Sequence, residues 1–216
     1  MDFAVARQKM VDGQIRPNKV TDPRIIAAMR EIPRERFLPD RLAALAYADE
    51  DVPLPGGRFL MEPMVLARLV QLLVLAEGSK VLVVGAGAGY GAALCARCGA
   101  NVAALEDDPD LLARARAVLP QIAPGVTLVE GPLTAGWPAG APYDAILVEG
   151  ALPEVPEALS GQLAEGGRLA TVIEGTSRMG RAVLGRRVAG SFSVLPQFDA
   201  ATPALPAFAP APAFTF

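Results

Sequence analysis

The strongest constraint in this chain of 216 residues lies between positions 81 and 106. An apolar run, Val81-Leu82-Val83-Val84, meets three glycines at alternate positions, Gly85, Gly87 and Gly89. A helix-forming stretch follows, then a second apolar run that ends on Glu106. Glycines let the backbone turn sharply, and they let a ligand come close because no Cβ stands in the way. Glu106 lies 21 residues beyond Gly85, which places it at the tip of the neighbouring strand. A carboxylate there can accept hydrogen bonds from ribose hydroxyls. The pattern predicts a nucleotide-type cofactor at the carboxyl end of a parallel sheet.

The remainder of the chain supports such a sheet. Apolar runs predict strands at 80–84, 101–105, 126–130, 143–148 and 167–173, with helices near 90–98, 109–118 and 156–164. This alternation implies an α/β fold, a mostly parallel sheet with helices on both faces. Residues 181–188 and 191–198 read as an antiparallel pair at the sheet edge, joined at Gly190-Ser191. The first sixty residues differ. They are richer in charge, and Asp22-Pro23 opens a helix with the stripe Ile25, Ile26, Met29 and Ile32 before Pro33 ends it. The expected organisation is a helical cap over 1–60, a cofactor-binding core over 61–200, beginning with a helix at 61–75, and a Pro/Ala/Phe tail over 201–216. Phe208, Phe214 and Phe216 favour a tail that docks, since three exposed rings would be costly in water.

Composition excludes several classes. A formal charge of −3 with dispersed basic residues offers no stripe for nucleic acid. The longest apolar run, around 65–76, is interrupted by Arg68 and Gln71 and is too short and too polar to span a bilayer. The amino terminus lacks a secretory pattern, so a soluble, cytoplasmic protein is expected. Cys95 and Cys98 fall inside an Ala-rich helix, and with no other Cys and no His they read as core residues, without a metal site.

The sixth position of the glycine motif is Tyr90, where a dinucleotide fingerprint has Gly or Ala. The spacing Gly-x-Gly-x-Gly suits S-adenosylmethionine better than a nicotinamide. Elsewhere the chain resembles the protein-L-isoaspartate O-methyltransferase family over roughly residues 8–175. Met10 to Arg16, Asp22-Pro23-Arg24, Met29 to Pro39, Ala46-Tyr47 and Pro53-Leu54-Pro55 follow in family order. So do Gly136-Trp137-Pro138, Tyr143 to Ile146 and Pro153 to Leu159. The resemblance implies a Rossmann-like class I methyltransferase fold under an N-terminal helical cap. It also implies S-adenosyl-L-methionine as cofactor, held by Gly85, Ala86, Gly87 and Gly89, by Glu106 and Asp107, and by Glu130 and Gly131 near the adenine.

Four departures from the family pattern fall at the expected mouth of the site. Val83 stands where an acidic residue usually precedes the glycines. Phe59-Leu60-Met61-Glu62-Pro63 replaces Thr-Ile-Ser-Gln-Pro, so Met61 takes the place of the serine implied to assist the isoaspartyl carboxylate. Gly56-Gly57-Arg58 shortens the substrate loop, and Glu149 replaces a Thr after the strand 145–148. Met61, Glu62 and Glu149 are therefore the candidate acceptor-site positions. A like charge about 4 Å away, in an effective dielectric of ~20, costs about 4 kcal/mol. Two added carboxylates thus argue against an anionic acceptor unless Arg58 or another cation compensates. The readings left open are a methyltransferase acting on a protein, peptide or small-molecule acceptor, and an inactive S-adenosylmethionine-binding regulatory module. Oligomeric state is open.

Overall fold

The computed structural model describes residues 2–175 and 179–209. Two short helices, α1 (Phe3–Met10) and α2 (Pro23–Glu31), open the chain. Asp2 and Asp22 cap them by accepting backbone N–H groups of the first turn. A two-stranded hairpin follows, β1 (Val52–Pro53) with β2 (Phe59–Leu60), and then α3 (Pro63–Leu73). The expected helix over 61–75 is shorter because Val74 takes a left-handed conformation that ends it.

The core alternates strands and helices: β3 (Lys80–Val84), α4 (Tyr90–Arg97), β4 (Asn101–Glu106), α5 (Pro109–Ile122), β5 (Thr127–Glu130), β6 (Tyr143–Leu152), α6 (Glu157–Ser160) and β7 (Leu163–Ile173). β8 (Gly180–Val188) and β9 (Ser191–Ala200) complete a seven-stranded sheet in the order β5-β4-β3-β6-β7-β8-β9. Pairings from β5 to β7 are parallel, whereas β8 and β9 run antiparallel at the edge. Side chains alternate across β3. Val81 and Val83 join a core with the cap, α3 and α4, while Leu82 and Val84 join a second core on the other face. The first core includes Met10, Ile25, Met29 and Phe37 beside Leu147 and Ala170, so the amino-terminal helices bury their apolar stripe directly against the sheet side of the molecule.

Two elements differ from expectation. The helix expected over 156–164 is only Glu157–Ser160, because Leu163 is drawn into the sheet opposite Tyr143 and the Tyr143 N–H donates to the Gln162 carbonyl at 2.9 Å. Strand β6 continues to Leu152, so Glu149 lies within a strand rather than after one. The pairing of β6 with β7 shifts register between Leu147 and Ala151, around Glu149. Such irregularities re-aim side chains. Cys95 and Cys98 are both buried thiols, pushed up by burial, Cys98 to about 11.

Gly89 begins α4 at φ +99°, and a Cβ there would lie 2.8 Å from Leu119. Gly89→Ala combines a disfavoured left-handed conformation with overpacking. It should cost about 1–3 kcal/mol, read as a lower urea midpoint at unchanged slope. An unaltered midpoint would contradict this account of the turn.

Candidate functional site

The chain runs outward from β3 to β4 and β5 and then returns to pair β6 with the other side of β3. Ligands of open α/β sheets bind at such a switch point, beyond the carboxyl ends of the strands. Gly85, Gly87 and Gly89 turn there with φ of +70°, +58° and +99°. The register pairs Val84 with Leu105 on one side and Val148 on the other, so the tips of β3, β4 and β6 meet around the glycine turn.

Glu106 ends β4 and is fully buried. Its Oε2 accepts the Gly87 N–H at 2.6 Å, and its Oε1 accepts the N–H groups of Asp107 and Asp108 at 2.9 and 3.0 Å. The Arg58 guanidinium completes the set with a two-pronged contact, 2.5 Å to Oε1 and 2.7 Å to Oε2. Burial opposes the charge of Arg58, but the bonded Glu106 outweighs it and holds the guanidinium protonated. Asp107, partly exposed, lies 3.3 Å from the same guanidinium, and burial together with Glu106 pushes its carboxyl up.

The other expected positions divide. Ala86 is buried in the glycine turn, with its N–H donating to Leu105. Gly131 donates its N–H to the Glu106 carbonyl at 3.1 Å, which fixes the end of β5 beside β4. Glu130 is exposed and pairs with Arg116 at 2.7 Å, so its carboxylate is engaged at the surface. Val83 is fully buried in the first core.

Met61 is buried, and its carbonyl accepts from Arg34, a fully buried guanidinium that also donates to the Ala46 carbonyl at 2.6 Å. Arg34 stacks over the Tyr90 ring at 4.7 Å from the centroid. Glu62 precedes α3 without capping it through its side chain. Burial and the neighbouring Asp49 and Asp51 push its carboxyl up to about 7, against the pull of Arg34. Glu149 projects against Gly91 of α4, where a side chain at 91 would collide with it. Burial pushes its carboxyl up to about 8, again against Arg34. The charge of Arg34 thus acts on both candidate carboxylates. Among the described residues, Arg34 Nη1, Tyr90 Oη and Glu149 Oε1 are buried polar atoms without hydrogen-bond partners.

Two residues at this site are not singled out by the sequence, Arg34 in the cap and Leu205 in the carboxyl-terminal segment. Arg58, expected as a possible counter-charge to Glu62 and Glu149, donates to Glu106 instead, and Arg34 is the main cation acting on those two carboxyls. Residues 202–208 do dock: the Ala151 N–H donates to Pro203 at 2.8 Å and the Leu205 N–H donates to Ala151 at 3.0 Å. Phe208 packs on the second core, while Phe214 and Phe216 lie outside the described residues. No helix among the described residues is long and apolar enough to cross a membrane, and they contain no cluster of metal-binding side chains.

Known proteins resemble this chain in sequence and in fold. The profile of the protein-L-isoaspartate(D-aspartate) O-methyltransferase family matches residues 5–194. A protein-L-isoaspartate O-methyltransferase of Rhodopseudomonas palustris is 43% identical over 168 residues, covering 77% of this chain and 69% of the relative. One of Methylorubrum extorquens is 44% identical over 168 residues, covering 78% and 74%. Among solved structures, a protein-L-isoaspartate O-methyltransferase superimposes with a TM-score of 0.79 at 27% identity, over 92% of this chain and 65% of that one. A Plasmodium falciparum protein of the same description, crystallised with S-adenosyl-L-homocysteine, superimposes with a TM-score of 0.74 at 19% identity, over 95% and 98%. The latter shows the shared fold.

The raised carboxyl of Glu149 has a signed consequence for stability. Between the ordinary value of 4.5 and about 8 the native state keeps a proton that the unfolded chain releases. The contribution is full below 4.5 and is lost as pH rises through about 8, at up to about 1.4 kcal/mol per pH unit. Glu149→Gln should therefore show a shallower decline in urea stability than wild type between pH 5 and 8. Parallel profiles would mean that Glu149 ionises as an ordinary carboxylate.

Proposed function

The chain belongs to the protein-L-isoaspartate(D-aspartate) O-methyltransferase family and is an S-adenosylmethionine-dependent methyltransferase, and from this premise we propose that it methylates an isoaspartyl carboxylate presented by a protein or peptide. The observation that supports the donor half is the buried Glu106 at the tip of β4, bonded to the Gly87 amide beside the glycine turn. A carboxylate that can accept from ribose hydroxyls, beside a turn without side chains, is the combination that a ribose-bearing cofactor requires. Glu106 would hold the ribose hydroxyls, with Gly85, Ala86, Gly87 and Gly89 along the cofactor's methionine and ribose portion and Asp107 and Gly131 flanking it. Glu130 is a weaker member of that set, since it is committed to Arg116. The cofactor supplies a methyl group on a sulfonium, which a carboxylate oxygen takes without a general base.

The acceptor half rests on Glu149 and Arg34. A carboxyl pushed up to about 8 is neutral at pH 7, so it offers an O–H donor and does not repel an anionic acceptor. The unpartnered Nη1 of Arg34 and Oη of Tyr90 are further donors in the same buried region. Together they stand in for the hydroxyl that Met61 lacks. The charge objection raised by counting Glu149 as an anion is thereby removed, while Glu62, at about 7, is divided between its two forms.

Labelled methyl transfer from S-adenosylmethionine to an isoaspartyl peptide tests the reaction. Counts should exceed those with the matching aspartyl peptide and decline as pH rises past about 8. Equal, background-level counts for both peptides would reject an isoaspartyl acceptor. For the donor half, Glu106→Gln should weaken S-adenosylhomocysteine binding by about 10- to 100-fold, the loss expected for charge-assisted hydrogen bonds. Binding unaffected by this change would remove Glu106 from the ribose site.

A further inference from the structure

The carboxylate assigned to the ribose is already saturated. Glu106 accepts five hydrogen bonds, three at Oε1 and two at Oε2, against the roughly four lone-pair positions that a carboxylate offers. Three come from the backbone amides of Gly87, Asp107 and Asp108 and are built into the fold. The other two are the parallel N–H groups of Arg58, one to each oxygen. Two adjacent ribose hydroxyls present the same pair of donors to the same pair of oxygens. Arg58 thus fills the position of a ribose diol.

A second group covers the glycine turn. Leu205 is 1% exposed and lies over Gly85 and Gly150. A Cβ at Gly85 would stand 3.2 Å from Leu205 and 3.5 Å from the Arg58 guanidinium, and one at Gly150 would collide with Leu205. Pro206 lies against Gly57 in the loop that carries Arg58, where a Cβ would stand 3.0 Å away. The carboxyl-terminal segment and the Arg58 loop therefore meet as one unit over the surface that the glycines leave open. The backbone ties of this segment to β6 are two hydrogen bonds at Ala151, few enough to be exchanged.

Building on the donor-site reading above, we propose that Arg58 and residues 202–208 form an autoinhibitory clasp over the cofactor site. In this state Arg58 occupies the ribose-binding oxygens of Glu106 and Leu205 covers the glycine turn. Cofactor entry requires both to withdraw, and their mutual contact makes the two movements cooperative. Affinity is then reduced by the fraction of molecules in which the clasp is open, and loosening the clasp raises it. The shape of Arg58 matters as well as its charge. A lysine at 58 keeps the charge but has no rigid fork to span both oxygens.

Calorimetric titration with S-adenosylhomocysteine of wild type, Arg58→Met, Arg58→Lys and Leu205→Ala tests the clasp. Arg58→Met and Leu205→Ala should each bind about fivefold tighter or more, with Arg58→Lys between wild type and Arg58→Met. Equal or weaker binding by both Arg58→Met and Leu205→Ala, with circular dichroism matching wild type, would overturn the proposal. Should a variant fail to fold, hydrogen exchange on wild type decides. Saturating ligand should accelerate exchange of the Ala151 and Leu205 amides, and unchanged or slower exchange would overturn the clasp. Wild-type binding without these effects removes only the clasp. No binding by any form at millimolar ligand removes the donor-site reading and the clasp with it.

Discussion

A carboxylate removed from water has to find its hydrogen bonds inside the protein, and Glu106 is where this chain meets that demand. Its donors come from three separate places: the glycine turn through Gly87, the start of the next helix through Asp107 and Asp108, and the loop ahead of β2 through Arg58. One buried anion therefore ties the amino-terminal cap to the tips of β3 and β4. An ion pair of this kind contributes little net stability, because the desolvation of both ions offsets their attraction. Its effect is geometric. It fixes where the cap loop stands relative to the sheet, and removing one partner leaves the other charge buried and uncompensated. The arrangement suits a site whose occupant offers hydroxyls to the same oxygens, because a guanidinium and a diol are interchangeable there only one at a time.

Local pattern made much of the fold legible. Val81 to Val84 between a turn and glycines could only be a buried strand, and the spacing from Gly85 to Glu106 marks one turn of a βαβ unit. The edge pair around Gly190 follows from alternation and a turn. Local pattern misleads where the partner is distant. Leu159 and Leu163 have helical spacing, yet Leu163 is recruited by Tyr143 into β7. Glu149 looks like the residue after a strand, but β6 runs on to Leu152. The same limit applies to the site. The position of Glu106 at the tip of β4 is legible because it follows from nearby sequence, whereas its pairing with Arg58 spans 48 positions and is decided by how the cap docks. The docking of residues 202–208 was legible as a tendency of a Pro-rich, Phe-bearing segment, but its seat over Gly85 and Gly150 was not.

Charge is the property that sequence assigns least well, because burial decides whether a carboxyl is charged at all. Counted from the sequence, Glu149 adds an anion to the mouth of the site. In the fold it sits beneath the cap with one oxygen unpartnered, and desolvation shifts it toward the neutral acid. The opposite side chain is treated the same way: burial lowers the proton affinity of Arg34, which keeps its charge beside Tyr90 with one nitrogen unpartnered. Each buried polar atom left without a partner costs about 1–3 kcal/mol. Three of them, on Arg34, Tyr90 and Glu149, form a local concentration of unmet hydrogen-bonding capacity beside the buried Met61. The Met61 side chain offers no hydroxyl to this region, whereas Glu149, as the neutral acid, offers a donor whose availability depends on pH. Donor capacity here therefore comes from the interior of β6 and not from the loop before α3. Around the glycine turn the hydrogen bonds run through backbone amides and Glu106, while Val83, buried in the core, adds no polar group there.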